Sequence, residues 1–496
     1  MRGPRSVDVS NRTSGTMSTG NRAMNNRVML TGLLACLTLM PIAAADWPTH
    51  RGNVERTGSA PAATGPKQPK VLWVFRSNEH FLASPVPSEK VLLVSGLGAF
   101  NSPVMRALSL QGNTAGQVVW TKTVPTLKMP VVSPPAVVGG RVIFGDGMHQ
   151  TDGATLRCLD VESGLLLWQR TFLGRLVHIE SAPSVVGSRI YFGAGSAGVV
   201  CLDYSRLTLH GKEMDETSAR QMLLQRWKEL QARYESERKK NPDVAVPPGE
   251  EQLPVSEPHL VWQTGQEKWH VDAPVAATAS QVFVGSAYLD AEKTGARLLL
   301  CLDAQTGQVQ WQAELRYNPW AGPTLAGEMV LVGGSNVRFD TRLAKLAKGQ
   351  VAAFHMRNGK PLWQREVPGG VLSAVVVRKG LVIFTATDGR VRALDLATGQ
   401  LRWSYDAQQP FFAGPAVTDS AVFAADLTGT VHALALESGQ RLWTLKATEH
   451  EAVKAPGMIF GSPVVVGDRL YLATCNHEGP YARQPTVVVC IGDAGS

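Results

Sequence analysis

A chain of 496 residues that is 44% hydrophobic, with 48 glycines and 30 prolines, has ample material for a core. It is too long for one ordinary domain unless the fold repeats. Its formal charge of +8 is concentrated at one end: residues 1–45 hold five Arg and one Asp, which leaves 44 basic against 40 acidic residues elsewhere, a balance that argues against nucleic acid as a partner.

Residues 1–45 read as an export signal with an upstream extension. Val28–Met40 is apolar behind Arg27, and Ala43-Ala44-Ala45 offers a small-residue cleavage site before Asp46. The run falls short of the roughly 20 residues that span a bilayer. Met24 alone would begin a signal of ordinary length. Leu33-Leu34-Ala35-Cys36 offers a second cleavage point, with Cys36 bearing a lipid. That choice leaves Leu37–Ala45 as an apolar start to the mature chain, so cleavage after Ala45 and a soluble extracytoplasmic protein are expected.

Residues 46–70 form an irregular lead-in, with Trp47-Pro-Thr-His-Arg-Gly52 and Arg56-Thr-Gly58 at its head. The body, 71–496, begins with a strand, Val71-Leu-Trp73-Val-Phe75. From there one pattern recurs. Asp160-Val-Glu-Ser-Gly164-Leu-Leu-Leu-Trp168, Asp303-Ala-Gln-Thr-Gly307-Gln-Val-Gln-Trp311 and Asp395-Leu-Ala-Thr-Gly399-Gln-Leu-Arg-Trp403 share one spacing. Weaker copies end at Gly359 with Trp363 and at Gly439 with Trp443, and partial copies give Gly116 with Trp120 and Gly265 with Trp269. A period of 40 to 50 residues is the mark of a repeat architecture.

Each unit has the same order: a Ser-x-Pro or Gly-Pro step, a β-branched run, a tight turn, a second run, a third run ending in Leu-Asp, then the Gly turn and the Trp strand. The glycine supplies positive φ in a short connection. The aspartate accepts from the turn amides. The tryptophan is placed to pack between sheets. Counted by Trp73, Trp120, Trp168, Trp269, Trp311, Trp363, Trp403 and Trp443, there are eight units. The last lacks its Trp strand and the first has one to spare, so residues 71–75 are expected to complete the final sheet. The expected fold is all-β: an eight-bladed propeller of four-stranded antiparallel blades, closed by an N-terminal strand.

The third unit is longer by a segment spanning 204–259. Glu213–Lys240 has a helical pattern, with Leu223, Trp227, Leu230 and Tyr234 on one face, Asp215 or Thr217 as cap and Asn241-Pro242 as stop. This insertion replaces a connection between third and fourth strands. Segments 96–103, 145–154, 285–297, 333–349 and 474–486 instead lengthen connections between second and third strands. One face is therefore expected to be rich in loops, and the arm to leave the other. Tyr288, Trp320, Phe339 and Tyr481 lie in or beside the loop-rich face as candidate partner anchors, and the stripe on the arm is a second candidate contact.

Catalytic and metal motifs are absent from the pattern. Cys158, Cys201 and Cys301 each precede Leu-Asp on separate units and read as small buried strand residues, as does Cys490. There is no CxxC and no metal-ligand spacing. His80, Asp146, His178, Glu180, His270, Asp272, Asp388, Asp426 and Asn476 fall near the loop-rich face without a spacing that specifies a ligand.

The Ala-Leu-Asp-x-x-Thr-Gly-x-x-x-Trp repeats resemble those of the PQQ-type (quinoprotein-like) β-propeller superfamily, across essentially all of 46–496. Within it, the export signal and length look most similar to outer-membrane assembly propellers. The resemblance implies a scaffold that binds envelope proteins, with no cofactor, attached to the membrane only peripherally or through lipid on Cys36. It also implies an alternative class, quinone- and calcium-dependent alcohol or sugar dehydrogenases, which usually carry two adjacent cysteines against the quinone. This chain has no Cys-Cys pair. A carbohydrate- or small-ligand-binding propeller is the third reading.

Overall fold

The structure is a computed structural model and describes Trp47, residues 49–149 and residues 151–493. The expected cleavage site after Ala45 and the alternative at Cys36 lie outside the described residues. Eight antiparallel sheets follow one another along the chain, four-stranded except the third, which has five strands. The protein is an eight-bladed β-propeller with one α-helix, closed by an N-terminal strand.

Burial explains why each strand has its composition. First strands, such as Val86–Pro87 and Ala276–Ala277, are short and wholly buried beside the axis. Second strands such as Val91–Leu97 and Leu381–Thr385 are buried along their whole length, because neighbouring blades cover both faces. They therefore read as continuous apolar runs rather than alternating ones. Outer strands such as Arg441–Lys446 alternate toward solvent.

Ring closure is as the orphan strand predicts. Pro69–Ser77 pairs antiparallel with Thr486–Asp493, and Trp73 stands opposite Cys490. No sheet edge is left between the first and last blades, and exposed edges are where sheets aggregate.

The repeated Trp and Gly meet across blades rather than within one. The Trp120 indole N–H donates to Val161 O of the next blade at 2.9 Å. Trp311, Trp363 and Trp403 do the same to Met356, Leu396 and Leu436, each at 2.9 Å. The turn glycine of the receiving blade faces the ring. Gly164 has φ +70°, and a Cβ there would stand 2.7 Å from Trp120 Cδ2. Trp443, which precedes the closing blade, donates instead to Pro66 O of the lead-in at 2.9 Å.

One Trp assignment is corrected. The outer strand of the third blade is Glu257–Thr264, and its ring is Trp262, opposite Cys201. Trp262 donates to Ala304 O at 3.1 Å and packs under Gly307. Trp269 lies in the connection to the fourth blade, where Gly265 forms a local turn onto it. The Gly-to-Trp spacing is the same, but cross-strand register assigns the interblade place to Trp262.

The insertion also differs in its limits. The third strand runs on to Leu209 and pairs with a short strand, Lys212–Asp215, before the helix Glu216–Lys240. Residue 213 is therefore in a strand. The Asp215 carboxylate caps the helix by accepting from Ser218 N at 2.9 Å. Arg141 Nε donates to Glu216 at 2.9 Å, and Arg220 pairs with Asp160. Arg141 opens the second strand of blade two, and Asp160 opens its third-to-fourth turn. The arm thus lies on the face of those turns, opposite the long loops.

Candidate functional site

Four of the five long second-to-third connections line a cavity on the propeller axis with a volume of about 560 Å³. Its wall is built by repetition. In each blade, the segment that enters the first strand crosses the second strand of the preceding blade. Gly145 shows why: a side chain there would collide with Ile179. The residue after each crossing faces the axis, and all eight line the cavity: Leu82, Val132, Trp320, Leu372, Phe412 and Phe460 form an apolar arc, and Glu180 and Asp272 an acidic one.

Phe412 stacks edge-on with Phe460 at 5.1 Å and with Phe339 at 5.7 Å. Arg338 lies over the Trp320 ring at 5.1 Å and joins the two arcs. It reaches Glu180 Oε2 at 2.7 Å and Asp272 Oδ2 at 3.2 Å. Burial opposes its charge, but Glu180 and Asp272 outweigh that and hold its pKa above the usual value.

Behind Asp272 stand two fully buried imidazoles. His178 Nε2 lies 2.8 Å and His270 Nε2 2.9 Å from Asp272 Oδ1. Ser196 Oγ is 3.2 Å from His270 Nδ1. Burial alone would raise the Asp272 pKa; His270, Arg338 and His178 overcome it and keep the carboxyl well below the usual range. Burial pushes His178 down, and Asp272 more than compensates, so its pKa is raised. The Glu180 carboxylate accepts from His149 N.

The opposite end of the axis is filled by the lead-in. His50 lines the cavity. Arg51 donates to Pro415 O at 2.8 Å and Ala374 O at 2.9 Å. Arg56 donates to Val275 O at 3.1 Å and Ala182 O at 2.9 Å. Two cations so bind carbonyls just ahead of the first strands of four blades. Burial lowers both guanidinium pKa values to about 9, which leaves them protonated at neutral pH.

Of the nine polar residues noted near this face, four converge: His178, Glu180, His270 and Asp272. The others serve their own neighbourhoods. Asp146 pairs with Arg157, Asp388 with Arg392, and Asp426 with His432. Asn476 Nδ2 donates to Pro456 O at 2.9 Å, and His80 packs edge-on against His477 at 5.7 Å.

The candidate anchors are distributed unevenly. Trp320 is buried in the cavity wall and Phe339 stands on its rim, 40% exposed. Tyr288 lies under Arg297 at 5.4 Å, and Tyr481 packs against the buried cluster that contains Trp320 and Met458. On the arm, Leu223 and Leu230 are buried in a cluster with Trp168, with Trp227 packed against it and Tyr234 partly exposed. The apolar stripe therefore faces the propeller. It covers Trp168, whose successor blade has no repeat turn to receive it.

Leu82, Phe412, Phe460, Arg338 and His149 were not among the sequence candidates. A signal for most of the wall existed: the lining residue stands three before the proline in Leu82-Ala-Ser-Pro85, Glu180-Ser-Ala-Pro183, Trp320-Ala-Gly-Pro323, Phe412-Ala-Gly-Pro415 and Phe460-Gly-Ser-Pro463.

The fold and its axial cavity define a propeller of the PQQ-type repeat class. The chain belongs to the family described as outer membrane protein assembly factor BamB, whose model matches residues 59–225, 259–342 and 333–496. Comparison with curated protein sequences finds no match. Among solved structures it is similar to BamB from Moraxella catarrhalis, at 15% identity over 85% of this chain and 99% of that one, with a TM-score of 0.55. It is also similar to a europium-containing methanol dehydrogenase, at 14% identity over 90% of this chain and 98% of that one, TM-score 0.60. Quinohemoprotein alcohol dehydrogenase from Comamonas testosteroni matches at 14% identity over 90% and 80%, TM-score 0.57. At these identities the likeness is one of fold.

A quinone and calcium pair does not fit the residues present. Calcium takes six to eight oxygen ligands. The acidic arc instead offers two carboxylates already engaged by a guanidinium and two imidazoles. Cys475 lines the cavity without a neighbouring cysteine, and burial pushes its thiol pKa up to about 12.

Proposed function

We propose that this chain is a non-catalytic, extracytoplasmic propeller that binds partner proteins of the cell envelope through its loop-rich face, as a component of envelope protein assembly. The observation that carries the reading is an open, largely apolar axial cavity rimmed by exposed apolar side chains on the long loops. Phe100 is fully exposed and Leu346 is 71% exposed, and Leu343 and Phe339 are exposed on the same connection as Leu346. Exposed apolar clusters around a concave site are the usual form of a protein contact. The export signal and the family's description as an assembly factor support the location and the type of partner. The arm, whose apolar stripe faces the propeller, serves as a brace in this reading.

Site-specific photo-crosslinking in envelope extract tests it. A crosslinker at Phe100 or Leu346 is expected to trap a defined partner protein, and one at the exposed arm residue Met222 is not. Asp substitution at Phe339 and Leu346 together should abolish capture without lowering the melting temperature. Capture that is equal from both faces, or unaffected by the double substitution, overturns the proposal.

A further inference from the structure

The acidic wall of the cavity carries a donor set that neither the fold nor a partner contact requires. Both imidazoles, fully buried, direct Nε2 at one oxygen, Asp272 Oδ1, at 2.8 and 2.9 Å. The three donor atoms lie within 4.8 Å of one another. His270 Nε2 has no hydrogen-bond partner of acceptable geometry although it is buried. Two imidazole nitrogens with one carboxylate oxygen form a set suited to late first-row divalent ions and unsuited to calcium.

Around a tetrahedral ion with bonds of about 2.0–2.2 Å, ligand atoms stand roughly 3.3–3.5 Å apart. The two separations from Asp272 Oδ1, 2.8 and 2.9 Å, are about half an ångström shorter than that, and the two imidazole nitrogens lie within 4.8 Å of each other. The surroundings support two of the three ligands: Ser196 Oγ orients His270 through Nδ1, and Arg338 pairs with the other oxygen of Asp272, while the buried His178 Nδ1 has no partner. Charge is favourable as well. With neutral imidazoles, Asp272 and Glu180 outnumber the single Arg338 cation, leaving one net negative charge. Asp272 and Glu180 both line the cavity, which gives the ion a path of entry.

We propose that His178, His270 and Asp272 bind a divalent transition-metal ion whose open coordination position faces the axial cavity. This site stands independently of the partner-binding reading, and its test involves no partner.

The test uses the mature chain without a tag, stripped with chelator and titrated with Zn²⁺ by calorimetry and with Co²⁺ by visible absorption. One ion per chain is expected, with Co²⁺ bands of nitrogen and oxygen coordination, and no comparable binding of Ca²⁺. His178→Gln with His270→Gln should weaken Zn²⁺ binding by far more than about 10-fold, the lower end of what loss of a merely supporting group costs. His210→Gln, at an exposed position, should leave it unchanged. Should the double variant fail to fold, wild-type crystals soaked in Zn²⁺ decide: the anomalous peak must lie at bonding distance from both Nε2 atoms. No saturable binding, binding unaltered in the folded double variant, or a peak elsewhere overturns the proposal and leaves the cluster as a fixed ionic network.

Discussion

Gly399 and Gly380 both have positive φ, +67° and +72°, yet only Gly399 abuts a ring; a Cβ there would meet Trp363 at 2.6 Å, whereas nothing lies within 4 Å of Gly380. Gly380→Ala should therefore lose only the left-handed backbone strain, about 1–2 kcal/mol. Gly399→Ala should lose that and displace Trp363 as well, for a total of roughly 2–4 kcal/mol. Urea midpoints of the two variants check the difference, and equal midpoints would remove the interblade role given to the glycine. His50 supplies a second residue-level prediction. It is partly exposed where it lines the cavity, yet burial, then Arg56 and Arg51, hold its pKa well below the usual value. The unfolded chain therefore takes up this proton first, and stability attributable to His50 is lost as pH falls through about 6.5. The loss in urea midpoint between about pH 7.5 and 5 should be smaller in His50→Gln than in the wild type; equal losses would show that the depressed pKa is not felt in folding.

At the scale of elements, two pieces from outside the repeat complete the ring. The strand Pro69–Ser77 supplies the outer edge of the last blade, and the lead-in before it inserts Arg51 and Arg56 into the axis. A chain beginning at Lys67 keeps the strand and loses the two cations, so it should fold with a lowered melting temperature. A chain beginning at Asn78 exposes the edge of Thr486–Asp493 and should aggregate. Light scattering of the refolded truncations separates the two roles. The helix Glu216–Lys240 is attached by a narrow set of contacts in which Leu223 is 2% exposed, whereas Met222 is 51% exposed. Leu223→Ala should cost about 2–4 kcal/mol of local stability. It should speed amide exchange along 216–240 while blade cores stay protected, and Met222→Ala should do neither.

For the molecule as a whole, the ring separates two kinds of surface. Tight turns and the arm occupy one face, and the five longer connections and the cavity occupy the other. One of those connections is shorter than its sequence suggests: 285–297 is largely strand, with pairing extending to Leu289 and resuming at Thr294. Among the described residues, no helix is long and apolar enough to cross a membrane. Because the acidic arc is engaged by Arg338 and two histidines, addition of quinone and Ca²⁺ is expected to give no alcohol-dependent dye reduction. Clear substrate-dependent turnover in that assay would return the dehydrogenase class to first place.

Repeat period, blade number, the closing strand and the face that carries the long loops were all readable in the sequence, because each rests on a local rule. Positive φ selects glycine at a turn, burial on both faces selects an apolar run, and a spare strand at one end with a missing one at the other implies closure. Where two local patterns looked alike, only packing chose between them. Gly265 with Trp269 has the repeat spacing, yet Trp262 takes the interblade position because it stands opposite Cys201 and beneath Gly307. The axial wall was legible in principle, since most of its residues stand three before a proline at the entry to a first strand. Their meaning appears only when the ring brings eight equivalent positions to one axis. His178 and Asp272 lie 94 residues apart, on different blades, and no spacing along the chain encodes their contact. That contact is decided by the curvature of the ring, which is a property of all the interblade packing together.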